Sequence, residues 1–292
     1  MTSALATEAA LPRARLDADY SARATVTPEV FEAIMAEYRR GTEAARALPG
    51  TRLDLPYDVE GDRTLDLYGA VPGELRPVFL FIHGGYWRAL SKAESGFMAP
   101  MLAAQGIACA VPDYRLAPTV GITEIVREMR AALAWLWHNA AAQGIDRDRI
   151  FVGGSSAGGH LAGTLLAPGW QAHHGLPEDV VCGALPVSGL YDLAPIAASH
   201  VQDWMGFTAE EVAEYSPIRH LPRAGRVTVA LAAGEAAGFT RQSRAYAGAL
   251  TAAGIPTRWL EVPARNHFDV ILDLADAETA LSRALLEMIA AE

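Results

Sequence analysis

The chain has 292 residues and a net charge of −10, and 51% of it is apolar. That composition can fill a large two-sided core, while the acidic balance excludes a basic stripe for neutralising nucleic-acid phosphates or docking on an anionic membrane. Only Cys109 and Cys182 are present, both in apolar runs that read as buried strands, so neither a disulfide framework nor a Cys/His metal site is expected.

The opening residues, MTSALATEAALPRARL, lack a basic start and a continuous apolar run. No export signal is read there, no stretch is long enough to span a bilayer, and a cytoplasmic setting is expected. Residues 1–25 predict an extended arm and residues 26–292 a single domain. Within it, residues 28–47 read as an amphipathic helix, with Pro28 in its first turn and Phe31, Ile34 and Met35 as the apolar stripe. Alternating strands follow at 51–57 and 63–69, an antiparallel edge pair. The apolar run 77–82 ends at His83-Gly84-Gly85. A second run, 106–112, precedes a long helix at 122–143. The run IFVGG at 150–154 leads into a helix at 156–166. Residues 180–188, 226–233 and 256–262 supply three more strands, with a helix at 239–253 between the last two and another at 276–291. Apolar strands alternating with helices predict an α/β fold, a mostly parallel sheet covered on both faces. Residues 190–222 break the alternation and read as a small cap or lid over the carboxyl edge of the sheet, where ligands bind in open α/β folds.

The chemistry starts at Gly154-Ser155-Ser156-Ala157-Gly158, a G-x-S-x-G between a strand and a helix. In that context it is a nucleophile elbow, a turn so tight that small residues must flank the serine two places to either side. Ser156 has Gly154 and Gly158 there, whereas Ser155 would have Gly153 and Ala157. A serine hydroxyl needs a base, and in the α/β-hydrolase fold the histidine follows the last strand, after the acid in chain order. Of eight histidines, His267 in VPARNHFDVI meets that requirement. The acid belongs just beyond the preceding strand, where Glu235 is the first choice and Asp192, after strand 180–188, its rival. Oxyanion donors are expected from the Ala157 N–H and from the loop His83-Gly84-Gly85-Tyr86-Trp87, where glycines let the backbone approach substrate. Trp87 reads equally well as core or as a substrate contact. In DYRLAP, Asp113 and Arg115 are expected to fix a loop under that segment. The lid aromatics Tyr191, Trp204 and Phe207, with Phe268 beside the histidine, are candidates for the substrate pocket. No metal and no organic cofactor is expected.

HGGYW, GGSSAGGH and NHFD together resemble the kynurenine formamidase (arylformamidase) group of serine hydrolases, close to the hormone-sensitive-lipase-like esterases. LDADYSAR at 16–23 and FTRQS at 239–243 extend the resemblance over residues 16 to 288. The resemblance implies Ser156 as nucleophile, His267 as base and Glu235 where family members carry an acid. It places the oxyanion hole at Gly85, Tyr86 and Ala157. The implied reaction is hydrolysis of N-formyl-L-kynurenine to kynurenine and formate, a step of tryptophan breakdown. A carboxylesterase or amidase for small acyl groups is the alternative, and a non-catalytic ligand-binding protein the minor one. The partner expected is a small molecule, and a homodimer is left open.

Overall fold

The structure is a computed structural model that describes residues 5, 7–58 and 62–291. Residues 1–4, 6 and 292, which belong to the expected arm and the chain end, lie outside it. Its elements in order are α1 (Arg13–Asp19), α2 (Pro28–Arg46), β1 (Arg52–Asp58), β2 (Arg63–Tyr68), β3 (Arg76–Ile82), α3 (Ala99–Ala104), β4 (Ala108–Pro112) and α4 (Ile122–Gln143). There follow β5 (Ile145–Ser155), α5 (Ala157–Leu166), β6 (Gly183–Val187), α6 (Leu193–Ala197), α7 (Gln202–Met205) and α8 (Ala209–Glu214). The chain closes with β7 (Arg226–Gly234), α9 (Ala237–Ala252), β8 (Thr257–Asn266) and α10 (Ala280–Ala290).

The strands form one sheet in the order β1-β2-β4-β3-β5-β6-β7-β8. β2 runs antiparallel to both neighbours, and from β4 onward every pairing is parallel. The period-2 alternation of a strand explains the two cores. Val78, Leu80 and Ile82 of β3 point into one, with α4, α5 and α9, while Phe79 and Phe81 point into the other, with α2, α3 and α10. Because β3 lies between β4 and β5, chain order reverses there, and the carboxyl ends of β3 and β5 sit side by side with Ile82 opposite Gly154. That switch point is where an open α/β sheet leaves a crevice.

The N-terminal segment is not extended. Arg13–Asp19 is helical, flanked by short 3-10 turns at Glu8–Ala10 and Ala22–Thr25. Its cause lies far along the chain: Leu16 and Tyr20 are fully buried, and Arg241 of α9 donates to Glu8 and Asp19 at 2.6 Å each. The stretch inserted between β6 and β7 folds into α6, α7, α8 and a 3-10 turn at Pro217–Arg219. Cys109 is buried in β4, whereas Cys182 is only half-buried and precedes β6. No helix among the described residues is long and apolar enough to cross a membrane.

Candidate active site

β5 ends at Ser155, and α5 starts at Ala157, so Ser156 alone makes the turn. Its backbone stands at φ 58°, ψ −116°, a region that costs a non-glycine residue about 1–3 kcal/mol and persists only where the surroundings enforce it. The Ser156 N–H donates to the Val187 carbonyl at 2.9 Å, which is one such constraint. The flanking glycines are another. A Cβ on Gly158 would lie 2.0 Å from the Ile82 carbonyl oxygen, and one on Gly154 would lie 2.5 Å from the Gly158 backbone. Strand, turn and helix can approach this closely only without those side chains.

Beyond β8 the loop Asn266–Asp269 braces itself. The Asn266 side chain accepts from the Phe268 and Asp269 N–H groups at 2.9 and 3.1 Å, and Asp269 accepts from the Asn266 N–H at 2.6 Å. This fixes His267, which is buried between the Phe239 ring at 4.4 Å and the Phe268 ring at 5.2 Å. His267 Nδ1 donates to Glu235 Oε2 at 2.7 Å. Glu235 is itself held: its Oε1 accepts from the Ser188 hydroxyl and from the Ala232 N–H at 3.4 Å. An imidazole that gives its Nδ1 proton to a buried carboxylate leaves Nε2 as the acceptor and has its tautomer fixed.

Asp192, the rival acid, is equally buried but turned elsewhere. Its Oδ1 caps α6 through the Ala194 N–H at 3.1 Å and lies 3.4 Å from Arg219. It holds the start of α6 in the stretch between β6 and β7.

The loop after β3 carries three consecutive residues at positive φ: Gly85 at 91°, Tyr86 at 50° and Trp87 at 58°. Among the described residues, the Gly85 and Tyr86 N–H groups have no backbone acceptor, so they are free for a ligand oxygen. Ala157 supplies the first N–H of α5, where the helix end adds partial positive charge. DYRLAP does fix this loop, but mainly through residues other than those expected. The Tyr114 hydroxyl donates to the His83 and Gly84 carbonyls at 3.1 and 3.2 Å, and Ala117 N–H donates to the Trp87 carbonyl at 2.8 Å. Asp113 holds the Lys92 N–H at 2.7 Å, while Arg115 pairs with Glu128 of α4. His83 stacks flat on Tyr114 at 4.1 Å, and burial pushes its pKa down to about 4.

Ser156, His267, Gly85, Tyr86, His83 and Gly84 all line one cavity of about 370 Å³. Trp204 and Phe268 line it too, as expected of pocket residues. Tyr191 and Phe207 do not. Tyr191 turns inward to stack on Tyr246 at 4.1 Å, and Phe207 packs edge-on against Trp87 at 5.9 Å. Trp87 is fully buried and does not line the cavity, so it is core. The walls hold residues not singled out as site residues: Phe31, Met35 and Tyr38 of α2, Phe81 and Phe97, and the arginines Arg23 and Arg88. Two residues of the apolar stripe of α2, Phe31 and Met35, face the cavity. Among the described residues, no cluster of His, Cys, Asp and Glu could hold a metal ion.

The BD-FAE family matches residues 65–179. Kynurenine formamidase of Danio rerio is 33% identical over 89% of this chain and 89% of its own, and that of Salmo salar is 32% identical over 89% and 90%. A Silicibacter chain solved as a candidate thioesterase superposes with TM-score 0.76 at 30% identity, covering 94% of this chain and 98% of its own. A Pyrobaculum calidifontis esterase superposes with TM-score 0.72 at 19% identity, covering 90% and 91%, and supports the α/β-hydrolase fold alone. With nine-tenths of both chains aligned at one residue in three, this protein belongs to the kynurenine formamidase family of α/β-hydrolase-fold serine hydrolases.

Proposed function

We propose that the protein hydrolyses an aryl formamide, N-formyl-L-kynurenine to L-kynurenine and formate, with Ser156 as nucleophile, His267 as base and Glu235 as the acid that orients it. The observation that carries the catalytic part is the 2.7 Å bond from His267 Nδ1 to Glu235, in a cavity shared with a serine on a strained elbow. Family membership supports the substrate.

In this reading His267 Nε2 takes the Ser156 hydroxyl proton as Oγ attacks the formyl carbon. Glu235 stabilises the imidazolium that forms. The Gly85, Tyr86 and Ala157 N–H groups receive the charge developing on the carbonyl oxygen, and each such donor is worth about 10²–10³ in rate. His267 then protonates the aniline nitrogen as the C–N bond breaks, leaving a formyl ester on Ser156. Water, deprotonated by His267, attacks that ester, and His267 returns the proton to Ser156 Oγ as the C–O bond breaks and formate leaves. Such a step belongs to tryptophan breakdown and fits a cytoplasmic enzyme.

The second reading is an esterase for small acyl groups. A serine with a paired histidine and backbone N–H donors cleaves an ester as readily as an activated amide, which favours it. The ratio of kcat/KM for N-formyl-L-kynurenine to that for p-nitrophenyl acetate, with Ser156→Ala as control, separates the two. Preference for the formamide, lost in the variant, is expected. Ester turnover with negligible formamide turnover would leave an esterase.

A further inference from the structure

The charge of the cavity differs from that of the chain. Thirty-four acidic residues against 24 basic ones make the protein strongly anionic, yet no Asp or Glu lines the cavity among the described residues. Its charged groups are Arg23 and Arg88, joined by the half-buried His200.

The two arginines stand over different aromatic walls. The Arg23 guanidinium lies 4.6 Å above the Phe31 ring, and Phe31 meets Phe268, the neighbour of His267, edge-on at 5.0 Å. The Arg88 guanidinium lies 4.1 Å above Trp204, which meets Tyr86 of the oxyanion loop at 6.1 Å and donates to its carbonyl at 3.2 Å. Contact with the ring restrains each cation without using up its N–H groups, one of which Arg23 gives to the Val26 carbonyl at 2.9 Å. Neither arginine lies in a close ion pair with a carboxylate among the described residues, although the charge of Arg23 reaches Glu29 at the start of α2 and helps hold its carboxyl low. The acids near the rim are already engaged: Asp203 pairs with Arg13, and Asp17 accepts the His200 N–H at 2.6 Å.

An exposed guanidinium seated on an aromatic ring, in no close ion pair and on the wall of a reaction cavity, suits a carboxylate. We propose that the cavity selects substrates carrying a carboxylate, which Arg23 and Arg88 hold at the mouth while the acyl group faces Ser156. The inference rests on reading Ser156 as a hydrolytic nucleophile, but not on the formamide. Phe31 and Phe268 put Arg23 on the His267 side, where the departing group is protonated. Arg88, over Trp204 beside the oxyanion loop, borders the same cavity.

The test uses matched pairs in two series: meta-formamidobenzoate against formanilide, and meta-acetoxybenzoate against phenyl acetate. The quantity read is kcat/KM of the anionic member divided by that of the neutral one. Exposed charge pairs are modest, so each of Arg23→Gln and Arg88→Gln should lower the ratio about three-fold and the double variant about ten-fold. Arg23→Lys and Arg88→Lys should keep part of it, and Arg39→Gln, an exposed arginine away from the cavity, all of it. In the unmodified protein, raising salt from ~0.05 to ~0.5 M should compress the same ratio, a readout independent of variant folding. A ratio unchanged by both the double variant and salt would overturn the inference. If the formamides are not turned over while the acetate ratio falls as expected, the formamide reading fails and the carboxylate selection stands.

Discussion

Asp192 and Glu235 occupy similar places in the architecture, each a buried carboxylate beyond the carboxyl end of a parallel strand, Glu235 directly after β7 and Asp192 a few residues after β6. Their surroundings differ. Asp192 meets a helix N-terminus and an arginine, so its charge stabilises the stretch between β6 and β7. Glu235 meets an imidazole and two further donors, so its charge is fixed toward His267. Position along the sheet admits both residues as the proposed triad acid, and the partners across the loop favour Glu235. The two loops are nevertheless coupled. Ser188 at the end of β6 donates to Glu235, and Gln242 of α9 accepts the Tyr191 and Asp192 N–H groups at 2.8 Å each.

The comparison can be broken in order of effect. Ser156→Ala should lower kcat/KM by about 10⁴–10⁶-fold without unfolding the protein, because the side chain that reacts is gone and the elbow remains. Glu235→Gln should cost about 10⁴-fold by losing the carboxylate that sets the tautomer of His267. Asp192→Ala should show the opposite pattern, with kcat/KM within about three-fold and stability lower by about 1–3 kcal/mol, read from the denaturation midpoint. If Asp192→Ala and Glu235→Gln exchange these behaviours, the assignment of the acid is wrong.

The smallest effect concerns a histidine without a carboxylate. His160, one turn along α5 from Ser156, is fully buried, bonds the Tyr215 carbonyl through Nε2 at 2.7 Å, and has no partner at Nδ1. Burial pushes its pKa down to about 4, against about 6.5 in the unfolded chain. The unfolded state therefore binds more protons between those values, and stability falls as pH drops through about 6.5 toward 4. Between pH 7 and 5 this one group should cost about 2 kcal/mol, and His160→Gln should flatten the stability–pH slope by that amount. An unchanged slope would mean that His160 is already charged or solvated.

What could be read from the sequence follows how local each cause is. The elbow was legible because Gly154 and Gly158 meet a steric demand set within five residues. His267 and Glu235 were legible because strand counting fixes the loops that carry them. The helical N-terminal segment was not, because Tyr20 is buried by partners over 200 residues away: Gln242 donates to its hydroxyl at 3.1 Å and Phe239 meets its ring at 6.0 Å. The two stretches LDADYSAR and FTRQS, far apart in the chain, are thus one packed unit behind the site. The pocket was read only in part. Helices α6 to α8 are too short for a periodicity that says which way an aromatic points, so Trp204 could not be told from Tyr191 or Phe207. Tyr38 of α2 gave no such signal by itself.

The most direct test of the account is labelling with a fluorophosphonate probe, which reacts only with an activated serine, followed by peptide mapping. The unmodified protein should carry the phosphonate on Ser156, and His267→Ala should lose most of the labelling rate. A label on Ser155, or none at all in folded protein, would contradict Ser156 as the nucleophile.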